Sequence, residues 1–124
     1  MILDIDVGNT RLKWLLRDLN GRSIRRGAID YSQSLQMEFG DLGAGVSRVR
    51  VSSVKGDFNT ALEGLCRASW GLKPEFAGVV DGHAGLRCGY DNPALLGIDR
   101  WLAVLACWTN ISRRAVVVDA GSAL

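Results

Sequence analysis

Two stretches of this sequence repeat one arrangement: an apolar, β-branched run that ends in an aspartate, one residue, a glycine, and a hydroxyl close behind. The first spans Met1 to Lys13 and reads MILDIDVGNTRLK, with Asp6, Gly8, Asn9 and Thr10 in that order and a lysine at Lys13. The second is AVVVDAGSAL at the far end, with Asp119, Gly121 and Ser122. A carboxylate at a strand end can hold a divalent cation directly or through water, and backbone amides in a glycine turn can face phosphate oxygens. On that chemistry Asp6 serves the cation, the amides near Gly8 to Thr10 meet the oxygens, and Lys13 reaches back as a point charge. A short match of this kind also arises by chance in an ordinary surface hairpin. The second copy tips the balance toward two phosphate loops meeting around one nucleotide.

A third group lies in YDNPALLGIDRW, residues 90 to 101. Asp99 and Arg100 are adjacent, so on a helix they point about 100° apart and do not simply pair with each other. Either both reach solvent or other elements, or Asp99 is a general base aimed into a pocket and Arg100 holds an anionic substrate group. Gly97 would let a substrate approach the backbone.

The elements that must position these groups are legible in outline. Alternation after Leu3 puts Asp4 and Asp6 on one side of the first strand, where two carboxylates are costly unless cations meet them. Gly8-Asn9, with glycine free to take a positive φ and asparagine tolerant of it, predicts a reversal into a second strand over Thr10 to Leu16. Gly21 to Ile29 reads as a third strand entered through Asn20-Gly21. Ser32 is placed to cap a short helix ending at Phe39, and Val46 to Val54 alternates as a strand. Asp57 is the expected N-cap of a helix over Phe58 to Trp70 that Gly71 stops. Pro74 to Val80 reads as a short strand, Asp81 to Tyr90 as a mobile glycine-rich loop, and Pro93 as the first turn of a heavily buried helix over Ala94 to Trp108. A last strand from Ala115 completes the order β-β-β-α-β-α-β-α-β. An α/β fold follows, a mixed sheet of about five to six strands with helices packed on it.

At 124 residues, 48% hydrophobic and 23% charged, the composition is that of one ordinary globular domain. The net charge of +2 is dispersed, apart from Arg25-Arg26 and Arg113-Arg114, which argues against a nucleic-acid partner. Cys66, Cys88 and Cys107 form no C-x-x-C pair, and with His83 as the one histidine neither a disulfide framework nor a zinc site is expected. No signal peptide and no membrane span are expected, and a reduced, cytoplasmic protein is. Trp14, Trp70, Trp101 and Trp108 read as packing aromatics.

D-x-G-N-T followed by Lys13, then G-x-D-R-W, then D-x-G-S-A together resemble the N-terminal half of a type III pantothenate kinase, across residues 1 to 124. Members of that family have also been called Bvg accessory factors. The resemblance implies an actin-like ATPase fold, ribonuclease H-like, shared with sugar kinases and Hsp70. It implies ATP-dependent phosphorylation of pantothenate, the first step of coenzyme A biosynthesis. Asp6, Val7, Gly8, Asn9, Thr10, Arg11, Leu12 and Lys13 would bind ATP, with Asp6 serving Mg²⁺ through the phosphates and Ser122 contacting the nucleotide. Tyr90, Gly97, Ile98, Asp99 and Arg100 would form the pantothenate pocket, with Asp99 the proton acceptor. Asp119 would ligate a monovalent cation, K⁺ or NH₄⁺. A homodimer is implied for the full-length protein.

Ser122 stands where the family usually has threonine, which keeps the hydroxyl. Family members run to about twice this length, so the chain alone is expected to turn over poorly. A non-catalytic accessory module, an inactive fragment that keeps the fold, and another acyl or sugar kinase of the same superfamily are the competing readings.

Overall fold

The first strand, β1 (Ile2–Val7), sits at the centre of a five-stranded sheet in a computed structural model that describes residues 1–120. It pairs antiparallel with β2 (Arg11–Arg17), which pairs antiparallel with β3 (Ser23–Asp30). On its other side it runs parallel to β4 (Arg48–Ser53), whose far neighbour is the two-residue β5 (Glu75–Phe76). The order β3-β2-β1-β4-β5 is therefore mixed. Two helices lie between these strands in sequence, α1 (Leu35–Gly40) and α2 (Gly56–Trp70). The chain falls into two compact units, Met1–Ala77, which holds all of these elements, and Gly78–Leu124.

Period-two alternation explains the first unit. Leu3, Ile5 and Val7 of β1, Leu12, Trp14 and Leu16 of β2, and Val49 and Val51 of β4 are all buried on one face. Leu62, Leu65 and Cys66, at i, i+3 and i+4 on α2, join them in one core with Phe39 of α1. Full burial of each large side chain stabilises by roughly 1.5–3 kcal/mol. Beside them, Gly27 of β3 leaves the room that the Trp14 indole occupies: a Cβ there would come within 2.7 Å of Trp14 Cε2 and Nε1. The indole N–H donates to Glu38 Oε1 at 2.6 Å.

The opposite face of the sheet is polar, and it meets the cost foreseen for the strand acids. Asp4 is gripped from both neighbouring strands, by Arg17 of β2 at 2.5 Å and Arg50 of β4 at 2.7 Å. Further along, Arg48 holds the Glu75 carboxyl below its ordinary range through a hydrogen bond. That pair is exposed and contributes little to stability.

Cys66 is wholly buried, and burial pushes its thiol up to about 11. A raised value leaves the thiol protonated, and the thiolate is the reactive form. Alkylation of the native protein with iodoacetamide at pH 8 is expected to label the half-buried Cys88 and Cys107 well before Cys66, as read by peptide mass mapping. Equal labelling rates would contradict it.

Several predicted elements shift. The third strand starts at Ser23 because Gly21 (φ 84°) lies in a turn organised by Asp18, whose Oδ1 accepts from the Asn20 and Arg22 amides. Ser34, not Ser32, precedes α1, and it makes no side-chain cap. Lys55 rather than Asp57 is the residue before α2, and Asp57 falls within the first turn. Gly71 does end α2, in the left-handed region at φ 66°.

The second unit carries a 3₁₀ turn at His83–Gly85, another at Pro93–Leu95, and α3 (Ile98–Ile111). The helix predicted over Ala94 to Trp108 is thus broken. Asn92 Oδ1 accepts from the Ala94 amide to start one turn, and then Leu96 and Gly97 both take extended conformations (ψ 127° and 134°) before α3 begins. Heavy burial of that segment is also corrected: Ile98 and Trp101 are buried, but Leu95 is 73% exposed. The loop Asp81 to Tyr90 carries one side-chain hydrogen bond of its own and one from α3. Asp81 Oδ1 accepts from the Cys88 amide at 2.7 Å, and the Trp108 indole N–H donates to the Ala84 carbonyl at 2.8 Å.

The last strand of the predicted order is absent among the described residues. Residues 115–118 have no ladder partner there, and Val116 and Val118 stand exposed. A β-branched run supplies strand propensity, but a strand exists only by pairing.

Candidate functional site

The carboxyl ends of the parallel strands β1 and β4 lie side by side, and in open α/β sheets ligands bind off such ends. Asp6 is exposed at the end of β1 on the polar face. In register, Lys13 stands directly across from it on β2 and Ser52 beside it on β4. Successive strand residues alternate faces, so Asp6 and Lys13 share one side. These are the side chains the sequence singled out, brought together by the hairpin.

The turn between β1 and β2 is made differently from the expectation. Neither Gly8 nor Asn9 adopts a positive φ. Proximity favours glycine at position 8 instead: its N–H donates to the Arg11 carbonyl at 3.2 Å, and a Cβ would sit a tight 3.2 Å from that same oxygen. Among the described residues, Gly8 is the loop amide so engaged, which leaves those of Asn9 and Thr10 for a ligand. Val7 and Leu12 have no exposed surface, so only their backbone could take part in binding. Arg11 is exposed and lies opposite Asp30 of β3.

Around this hairpin stand residues that sequence reasoning missed. The Val54 amide donates to the Val7 carbonyl at 3.0 Å, which ties the β4–α2 connection to the end of β1. The Ser53 hydroxyl donates to Asn59 Oδ1 at 2.6 Å and accepts from the Lys55 amide at 3.2 Å, closing the entry to α2. Lys55 Nζ lies 5.0 Å above the ring of Tyr31, whose hydroxyl donates to the Gly8 carbonyl. The Tyr31 hydroxyl is raised above its ordinary value by burial first, then by Asp6 and Asp57. Nothing in the spacing of Tyr31 or Lys55 marks them; the antiparallel pairing of β3 with β2 carries Tyr31 to the hairpin, and the parallel placement of β4 beside β1 carries Lys55.

In the second unit, Gly97 immediately precedes α3, so Asp99 and Arg100 occupy its first turn rather than the interior of a helix. An acid suits that end, where helix amide dipoles present their positive pole. Asp99 Oδ1 accepts from the Arg100 amide at 2.9 Å. A Cβ on residue 97 would meet Asp99 Oδ1 at 2.6 Å, so glycine there leaves that carboxylate its place. Gly97 therefore serves the posture of Asp99. Asp99, Arg100 and Tyr90 are exposed, while Ile98 is buried and holds the start of the helix.

Asp119 is exposed and lies in no helix or strand, and Ser122 lies outside the described residues. Among the described residues no cluster of three or more His, Cys, Asp or Glu could by itself hold a metal ion. A single carboxylate such as Asp6 suits Mg²⁺, which keeps most of its waters and binds through one or two carboxylates and phosphate oxygens. No helix among the described residues is long and apolar enough to cross a membrane.

Comparison with known proteins gives these groups a context. The family model described as type III pantothenate kinase matches residues 2–124. A type III pantothenate kinase of Saccharophagus degradans is 40% identical over 126 residues, covering 100% of this chain and 47% of the relative. Those of Nitrosospira multiformis and Cellvibrio japonicus are 36% and 37% identical, again over 100% of this chain and over 47% and 51% of theirs. The chain spans about half the length of the curated relatives it matches.

Proposed function

This chain belongs to the type III pantothenate kinase family, and on that premise we propose that it forms the N-terminal half of an enzyme that phosphorylates pantothenate with ATP in coenzyme A biosynthesis. The observation that carries the reading is the hairpin edge: a strand-end carboxylate at Asp6, a cation opposite it at Lys13, and the amides of Asn9 and Thr10 between them.

Phosphoryl transfer depends on in-line positioning and on neutralising charged oxygens more than on covalent help from the protein. In this reading the Asn9 and Thr10 amides orient nucleotide phosphate oxygens, and Lys13 balances their charge. Asp6 would hold Mg²⁺ bound with the nucleotide, and the ion would supply further charge neutralisation there. Asp99 takes the proton from the primary hydroxyl of pantothenate as that oxygen attacks the γ-phosphorus, and the bond to the ADP oxygen breaks. Arg100 holds the pantothenate carboxylate by a charge-assisted hydrogen bond. Tyr90, Gly97 and Ile98 would complete that pocket, Asp119 would ligate K⁺ or NH₄⁺, and Ser122 would contact the nucleotide. The whole protein is a cytoplasmic homodimer.

A chain spanning about half of its relatives favours, as a second reading, a piece that keeps the fold and turns over slowly by itself. The test starts with the intact mass of the protein isolated from its source cells and continues with ADP release. A mass near twice that of this chain, with ADP release that needs pantothenate and ignores glucose, is the expected result. ADP release indifferent to pantothenate would refute the kinase reading.

A further inference from the structure

We infer that Tyr31 is a positioning residue of the nucleotide hairpin, fixing the Gly8–Asn9 peptide so that the Asn9 N–H is aimed at a phosphate oxygen. The inference rests on the kinase reading for the identity of the ligand and on geometry for the rest.

Tyr31 directly follows the end of β3 at Asp30, and its hydroxyl donates to the carbonyl of Gly8. A trans peptide is planar, with its C=O and N–H on opposite sides. Holding the Gly8 carbonyl toward Tyr31 therefore turns the Asn9 N–H away from it. Two further polar groups beside this peptide are anchored: Gly8 N–H to the Arg11 carbonyl (3.2 Å), and the Val7 carbonyl to the Val54 amide (3.0 Å). Tyr31 thus supplies the constraint on the Gly8 carbonyl itself.

The ring itself is held in place. Phe58 of α2 packs edge-on against it, with centroids 4.9 Å apart and planes at 68°. Lys55 Nζ covers it at 5.0 Å, a cation over an aromatic face. Partial burial, with Asp6 and Asp57 nearby, holds the phenol above its ordinary value, so at neutral pH it stays protonated and remains a donor. An amide preset toward its target loses less freedom when the ligand arrives, and this raises affinity without a new contact to the ligand.

The test is Tyr31→Phe in the whole native protein, which removes one oxygen and keeps the ring against Phe58. The expected result is a KM for ATP raised about tenfold, the equivalent of one modest hydrogen bond. Meanwhile kcat at saturating ATP and the KM for pantothenate stay within about twofold, Tm is close to wild type, and the Asn9 amide resonance moves. An unchanged KM for ATP, or a parallel loss in kcat and in the KM for pantothenate, would overturn the inference. If the wild-type protein releases no ADP with pantothenate, the kinase reading fails by itself. Titration with Mg-pyrophosphate then decides the positioning role: weaker binding by Tyr31→Phe with a displaced Asn9 resonance supports it, and identical behaviour of the two proteins refutes it.

Discussion

Replacing Asp99 by asparagine in the whole native protein is expected to lower kcat for pantothenate phosphorylation by about 10²–10⁴-fold, the usual contribution of a positioned general base. At 1.36 kcal/mol per tenfold, that is roughly 3–5 kcal/mol of transition-state stabilisation. Asparagine keeps the shape of the side chain and an oxygen that can still accept from the Arg100 amide, now met at 2.9 Å, so the first turn of α3 is preserved. What it loses is the ability to take a proton. The KM for ATP is expected to stay near wild type, because the nucleotide hairpin is built from Asp6 to Lys13 in the other unit. A variant that keeps more than a third of wild-type kcat would remove Asp99 from the base role and favour the non-catalytic reading.

The largest expected loss of stability comes from Phe39→Ala. Phe39 is 1% exposed, and it stands edge-on to two indoles, Trp14 at 5.8 Å and Trp70 at 6.4 Å between centroids. Truncation removes the transfer energy of the ring and leaves a cavity that rigid neighbours fill poorly, about 3–5 kcal/mol for this class of change. Against a total stability of about 5–15 kcal/mol the loss is large, and Tm should fall by more than about 10 °C. Met37, on the same short helix and 82% exposed, provides the control: Met37→Ala should change stability by no more than about 0.5 kcal/mol. If the two variants melted together, α1 would not be part of the core.

These two residues differ in how far the sequence anticipates them. Phe39 is legible as an apolar residue spaced four from Leu35, yet its two tryptophan neighbours come from β2 and from the end of α2, far apart in the chain. Asp99 is legible as chemistry but not as position. An apolar run from Leu95 to Ala106 reads as one helix, because periodicity does not register the two extended residues at Leu96 and Gly97 that put Asp99 at a helix start. The valines from Val116 to Val118 carry strand propensity without a strand for a related reason, since propensity does not state which backbone a strand will pair with.

The sequence by itself determined what depends on near neighbours. Period-two alternation in β1 and β2 set which side chains enter the core and which face the carboxylates share, and a turn of fixed length placed Lys13 opposite Asp6. Gly71 ended α2 because a left-handed residue is needed there. The family motifs belong to the same level, being short and local. Only the tertiary structure decided which arginines meet Asp4, that Tyr31 holds the Gly8 carbonyl, and that Lys55 covers its ring. The Arg17 and Tyr31 contacts follow from the β1-β2-β3 order, and the Arg50 and Lys55 contacts from β4 lying parallel beside β1. That pairing joins residues more than forty positions apart by closing a loop, and its free energy comes from the whole buried face rather than from any residue whose type announces it.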